Sequence, residues 1–173
     1  YTLAFTRPCA ELRVGILTIS EKWAEHLPGK TSHLTQDYLS EKYALNHENE
    51  NLYINGRVLP DDDLISQINS LSNNETLIND EVIIAFKTEA HLTSYEELVQ
   101  FSSAKSQKEI SCTLINHTHD IFSKNGSEIK ADFEILTKNR DSHQLSATNT
   151  HIGKSIFIEE GVRAEAVIFN TEN

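Results

Sequence analysis

An α/β domain running into the start of a left-handed parallel β-helix is the architecture this sequence predicts. Over residues 1–137, short β-branched runs alternate with stretches of helically spaced apolar residues, as α/β layers require. In the tail, small aliphatic residues recur six apart, Ile158 with Ala164 and Val162 with Ile168, which is the hexapeptide period of a β-helix. The length, 173 residues, suits one domain plus a short piece of another. The expected division is 1–137 for the α/β part, 138–150 for a polar linker and 151–173 for the start of the β-helix.

Phe5-Thr6-Arg7-Pro8 reads as a loop. Leu12, Ile16, Ile19, Trp23 and Leu27 then fall three or four apart and predict one helix, closed by the turn Pro28-Gly29. Leu34, Tyr38 and Leu39 predict a short helix capped by Ser32 or Thr35, and Leu52-Tyr53-Ile54 a short strand. Asp61-Asp62-Asp63 ahead of Leu64, Ile65 and Ile68 marks a helix start, because the dipole favours carboxylates in the first turn. Thr76 to Phe86 is strand material. Ser94 and Glu97 form a capping box before Leu98, and Ser102 to Lys108 reads as a loop. Ile110 to Ile115 predicts a strand. Helical spacing across Asp120 to Thr137 is interrupted by Gly126, which predicts two helices. Three hexads make one β-helical coil. The tail holds fewer than two, so the reading expects continuation past Asn173, with an ordinary hairpin as the other possibility.

Fifteen basic against 26 acidic side chains give a net charge of −11, which excludes general nucleic-acid binding but allows a local basic pocket. The longest apolar run, Val82 to Phe86, is far too short to cross a membrane. Cys9 and Cys112 lack metal-ligand spacing and suit core thiols in a reducing compartment. The chain starts at Tyr1 and contains no Met, which is expected of a partial sequence; no basic-then-apolar leader pattern is seen, and a cytoplasmic location is expected.

Four constellations could carry chemistry. Arg7, Arg13 and Lys22 concentrate positive charge in the first 22 residues, as a phosphate pocket needs, although three solvated cations share that spacing. Asn55-Gly56-Arg57 follows a strand, where open α/β sheets bind ligands; a plain turn has the same residues. Asp61-Asp62-Asp63 could hold Mg²⁺ but better fits a helix cap. His117 and His119 alternate as metal ligands can, without a third ligand at a recognisable distance, and Asp120 reads as an N-cap.

Phe5-Thr6-Arg7-Pro8-x-Ala10-Glu11-Leu12-Arg13-Val14-Gly15-Ile16-Leu17-Thr18-Ile19-x-Glu21-Lys22-Trp23 resembles the N-terminal signature of a family of Bacteroidetes sugar nucleotidyltransferases. These are similar to the bifunctional N-acetylglucosamine-1-phosphate uridylyltransferase/glucosamine-1-phosphate acetyltransferase. Asn55-Gly56-Arg57-x-Leu59-Pro60, His117-Thr118-His119-Asp120-Ile121-Phe122-Ser123-Lys124-Asn125 and Asp132-Phe133-x-Ile135-Leu136-Thr137 continue the resemblance. It implies a Rossmann-like nucleotidyltransferase domain, a linker helix and the start of a β-helical acyltransferase domain, able to trimerise. The implied reaction joins a nucleoside triphosphate and a sugar 1-phosphate, with Mg²⁺ as cofactor. Arg7 and Lys22 are the implied catalytic cations, and Arg13, Asn55 and Arg57 the implied substrate-binding groups. At the strand end where members of the family place a metal-binding Asp, this chain has Asn55-Gly56-Arg57. A non-catalytic nucleotide-sugar-binding or regulatory domain attached to an acyltransferase is the alternative expectation.

Overall fold

The computed structural model describes residues 4–103 and 106–172. The chain divides into two units, Tyr1–Asp132 and Phe133–Asn173.

The first unit opens with a single 3-10 turn, Cys9–Glu11. The helix expected from Leu12 begins only at Ile19: α1 spans Ile19–His26. Gly15 sits at φ 92°, a left-handed conformation that interrupts any helix there. Thr18 then starts α1 with a reciprocal cap. Its Oγ1 accepts from Glu21 N–H at 3.2 Å, and Glu21 Oε2 accepts from Thr18 N–H at 2.7 Å. The short helix α2 covers Asp37–Ser40; its N-cap is Gln36, without the side-chain bond expected of Ser32 or Thr35. The helix predicted after Asp61 is α3, Asp62–Asn69, and Asp61 Oδ1 accepts from Leu64 N–H at 2.8 Å. Before α4, Tyr95–Ser103, Ser94 Oγ accepts from Glu97 N–H, while the Glu97 carboxylate reaches past Ser94 to Thr93.

Strands β1 (Asn51–Ile54), β3 (Glu75–Asn79), β4 (Val82–Thr88) and β5 (Ser106–Glu109) form one sheet in the order β1-β4-β3-β5. The β1–β4 and β3–β4 pairs are antiparallel, and β3–β5 is parallel. This mixed sheet differs from the parallel sheet a Rossmann-like domain implies. Only Asp80 and Glu81 separate β3 from β4, which permits a hairpin and no crossover. Strand β5 occupies part of the stretch read as a loop, whose residues 104 and 105 lie outside the described residues. All four of its side chains are exposed at the sheet edge, so no apolar alternation announces it. Strand β2 (Val58–Leu59) pairs with β6 (Thr113–Leu114), which is shorter than the strand expected over Ile110–Ile115.

The main core joins Val14, Ile19 and Trp23 to Val58, Leu59, Leu64, Ile68, Leu77 and Ile84. Trp23 also donates its indole N–H to Val58 O at 3.0 Å, so α1 is pinned to β2. A smaller cluster gathers Phe86, Leu92 and Leu98. Helix α5 runs unbroken over Thr118–Thr137, through Gly126. A Cβ at Gly126 would meet nothing within 4 Å, so this glycine costs the helix only its intrinsic propensity, about 1 kcal/mol.

In the second unit, β7 (Thr150–Ile152) pairs with β8 (Ile168–Asn170) in parallel, Thr150 facing Ile168. Parallel pairing rules out the hairpin reading of the tail. Arg140 pairs with Glu159 at 2.6 Å and lies over the Phe157 ring.

Candidate functional site

Two loops of the first unit meet beside the core. One carries Arg7 and the Cys9–Glu11 turn; the other is Asn55-Gly56-Arg57 between β1 and β2. Their backbones touch at Gly56, where a Cβ would stand 2.9 Å from Ala10 N. Only glycine permits that approach. The Asn55 side chain builds the second loop from both ends: Nδ2 donates to Ile83 O at 2.9 Å, and Oδ1 accepts from Arg57 N–H at 3.1 Å. Arg57 is thus held at the end of β1. Burial pushes the Cys9 thiol up, and the nearby Arg57 charge pulls partly against that.

The structure brings together Arg7's loop with Asn55 and Arg57, but does not bring Lys22 to them as a free cation. Arg7 is exposed, and among the described residues neither Arg7 nor Arg57 pairs with a carboxylate. Arg57 Nη1 donates instead to the neutral Asn116 Oδ1 at 2.9 Å. Lys22, expected at a sugar phosphate, is 1% exposed and bonded to Asp132 and, at 2.9 Å, to Glu128. Two carboxylates against one ammonium leave it no positive charge to offer. Arg13 is exposed; it donates to Ile16 O and lies 3.7 Å from Glu21.

Lys22 instead belongs to a latch that the sequence reading missed. Asp132 Oδ2 accepts from Ile16 and Leu17 N–H at 2.8 and 3.0 Å, and Asn125 Oδ1 accepts from Gly15 N–H at 2.9 Å. Asn125, Glu128 and Asp132 share one face of α5 by their i, i+3, i+7 spacing, and that polar stripe was the available signal. The loop lies so close to α5 that a Cβ on Gly15 would sit 2.5 Å from Asp132 Oδ2.

The Asp61–Asp63 run is placed as a cap and first turn of α3, as anticipated. His117 and His119 stack face to face, with ring centroids 5.1 Å apart, at the start of α5. Asp120 does not cap that helix as its N-cap; from inside the first turn its Oδ2 reaches back to Asn116 and His117 N–H at 2.8 and 2.7 Å. Those two bonds hold its carboxyl below the ordinary Asp range.

The residues at the strand end do not fit Mg²⁺. Asn55 has both ends of its amide engaged by backbone, and Arg57 beside it repels a cation. Among the described residues no three His, Cys, Asp or Glu side chains gather in a group able to hold a metal ion. No helix among them is long and apolar enough to cross a membrane.

A mixed α/β unit with arginines on the loops at a strand end is compatible with a nucleotidyltransferase-like domain. The sequence model of the sugar nucleotidyl transferase family matches residues 1–141, and the chain belongs to that family. No curated protein and no solved structure gives a match.

Proposed function

We propose that this chain transfers a nucleotidyl group to a sugar 1-phosphate. A phosphate oxygen of the sugar 1-phosphate attacks the α-phosphorus of a nucleoside triphosphate. The new P–O bond forms as the bond to the bridging oxygen breaks, and that oxygen leaves with the electron pair as pyrophosphate. The observation that carries the reading is the pair of loops joined at Gly56, which present Arg7 and Arg57 without carboxylate partners among the described residues, in a chain of net charge −11. Guanidinium groups can grip phosphate oxygens two at a time and offset charge developing on the leaving group. In this reading Arg7 and Arg57 meet phosphate, Asn55 shapes the loop under Arg57, and Lys22 and Arg13 hold the intervening segment in place. Family membership supports nucleotide and sugar phosphate as the substrate classes.

A second reading, a domain that binds a nucleotide-sugar without turning it over, is favoured by the poor fit of the strand end to Mg²⁺. Isothermal titration of nucleoside triphosphates and sugar 1-phosphates into wild type and Arg7→Ala tests the shared pocket. Pyrophosphate release across the same sugars then separates enzyme from binder. Binding lost in the variant is expected; equal binding by both proteins defeats the pocket.

The same reading takes the second unit as the opening circuit of a left-handed β-helix, through which the protein trimerises. Its support is the register of β7 with β8: parallel partners 18 residues apart, or three hexads per circuit.

A further inference from the structure

Among the described residues, Lys22 is ion-paired with Asp132 and Glu128, Arg13 with Glu21, Lys87 with Glu50 and Arg140 with Glu159. Arg57 is in no such pair and is hydrogen-bonded to a neutral side chain instead. Its side chain is oriented by an amide oxygen, Asn116 Oδ1, 59 residues away. A neutral acceptor occupies one guanidinium N–H and fixes its direction without cancelling its charge. A carboxylate in the same place would satisfy the same bond and neutralise the group.

Asn116 is itself fixed. Its N–H and that of His117 both donate to Asp120 Oδ2, so the turn before α5 is tied from below. Next to it, Ile115 N–H donates to Arg57 O at 2.9 Å, which sets the two backbones side by side at the end of the β2–β6 ladder. The Arg57 guanidinium is therefore anchored at both its backbone and its tip, with most of its donors left over.

We propose that Asn116 is a positioning residue: it aims Arg57 at a phosphate of the substrate and keeps that arginine charged and unneutralised. This rests on the reading of Arg57 as a phosphate-binding group. Preorienting the guanidinium removes the rotamer freedom that binding must otherwise freeze. An aspartate at 116 would keep the hydrogen bond and pull the arginine into an ion pair.

The test compares wild type, Arg57→Ala, Asn116→Ala and Asn116→Asp by titration with nucleoside triphosphates and with inorganic pyrophosphate, alongside thermal melts. Asn116→Ala is expected to weaken binding about 2- to 10-fold, the worth of one ordinary hydrogen bond. Asn116→Asp is expected to bind more weakly still, within about 3-fold of Arg57→Ala, because a charge-assisted pair now holds the guanidinium. Its melting temperature should match wild type. A merely structural role for Asn116 predicts the reverse order, since the aspartate keeps the acceptor. Asn116→Asp binding as well as or better than Asn116→Ala would overturn the positioning role. Arg57→Ala binding like wild type, or no binding by wild type, would instead overturn the phosphate reading beneath it, and this inference with it.

Discussion

Replacing Asp132 by alanine should cost this protein much of its stability. Asp132 and Lys22 are each 1% exposed, so little solvent screens their attraction. Removing the carboxylate leaves the Lys22 ammonium with Glu128 alone and strips Ile16 and Leu17 N–H of their acceptor. Breaking a buried pair from one side typically costs about 3–5 kcal/mol, because the surviving charge stays buried. For a domain of this size each kcal/mol lowers the melting temperature by about 2–4 °C, so a fall of roughly 6–20 °C is expected. Lys22→Met should cost less, since Asp132 keeps its two backbone donors. Asp132→Asn should fall between wild type and Asp132→Ala, because an amide oxygen can still accept one of those bonds. Trp23, the single tryptophan, neighbours Lys22 and packs in the same core, so urea titration followed by its fluorescence reports the region directly. A loss under about 1 kcal/mol for Asp132→Ala would refute the reasoning, for the pair would then behave like a solvated surface bridge.

Three more outcomes follow from the same contacts. Gly15→Ala should destabilise by about 1 kcal/mol or more in a thermal melt, because φ is 92° and the new Cβ would collide with Asp132 Oδ2 and the Glu128 backbone. Asp61→Ala removes the cap of α3 and should cost about 1 kcal/mol by urea titration, with Asp61→Asn nearly neutral. Asp120 has a carboxyl held below its ordinary value, so its contribution is present above the ordinary Asp pKa of about 3.9 and is lost as pH falls through the lowered one. Asp120→Ala should therefore melt below wild type at pH 7, and the gap should close in acid; a gap that stays constant with pH would show that its bonds to Asn116 and His117 are not the cause.

Much of the local structure was legible in the residues. The α3 start showed in Asp61 to Asp63 because a cap needs only its own helix, and β1 and β4 showed in their apolar runs because strand preference is largely local. The break before α1 was not legible. Leu12, Ile16 and Ile19 keep helical spacing, yet Leu12 and Ile19 reach the same core from either side of a loop rather than along one helix face. Edge strand β5 carries no apolar residue, so only its pairing with β3 reveals it. For the site, Arg7 and Asn55-Gly56-Arg57 were both visible as separate motifs, while their contact through Gly56 and Ala10 was not.

Charge balance, the Asp61 cap of α3, core strands and the family signature were available from the order of residues, because each depends on neighbours a few positions apart or on composition. The fate of each cation was decided elsewhere. Lys22 and Asp132 are 110 residues apart, and Arg57 and Asn116 are 59 apart. Whether a positive group is buried against two carboxylates or left charged beside an amide depends on which distant segment packs over it. Local propensity carries no trace of that choice, so the tertiary fold alone separates the cations that brace this protein from those that can meet a phosphate.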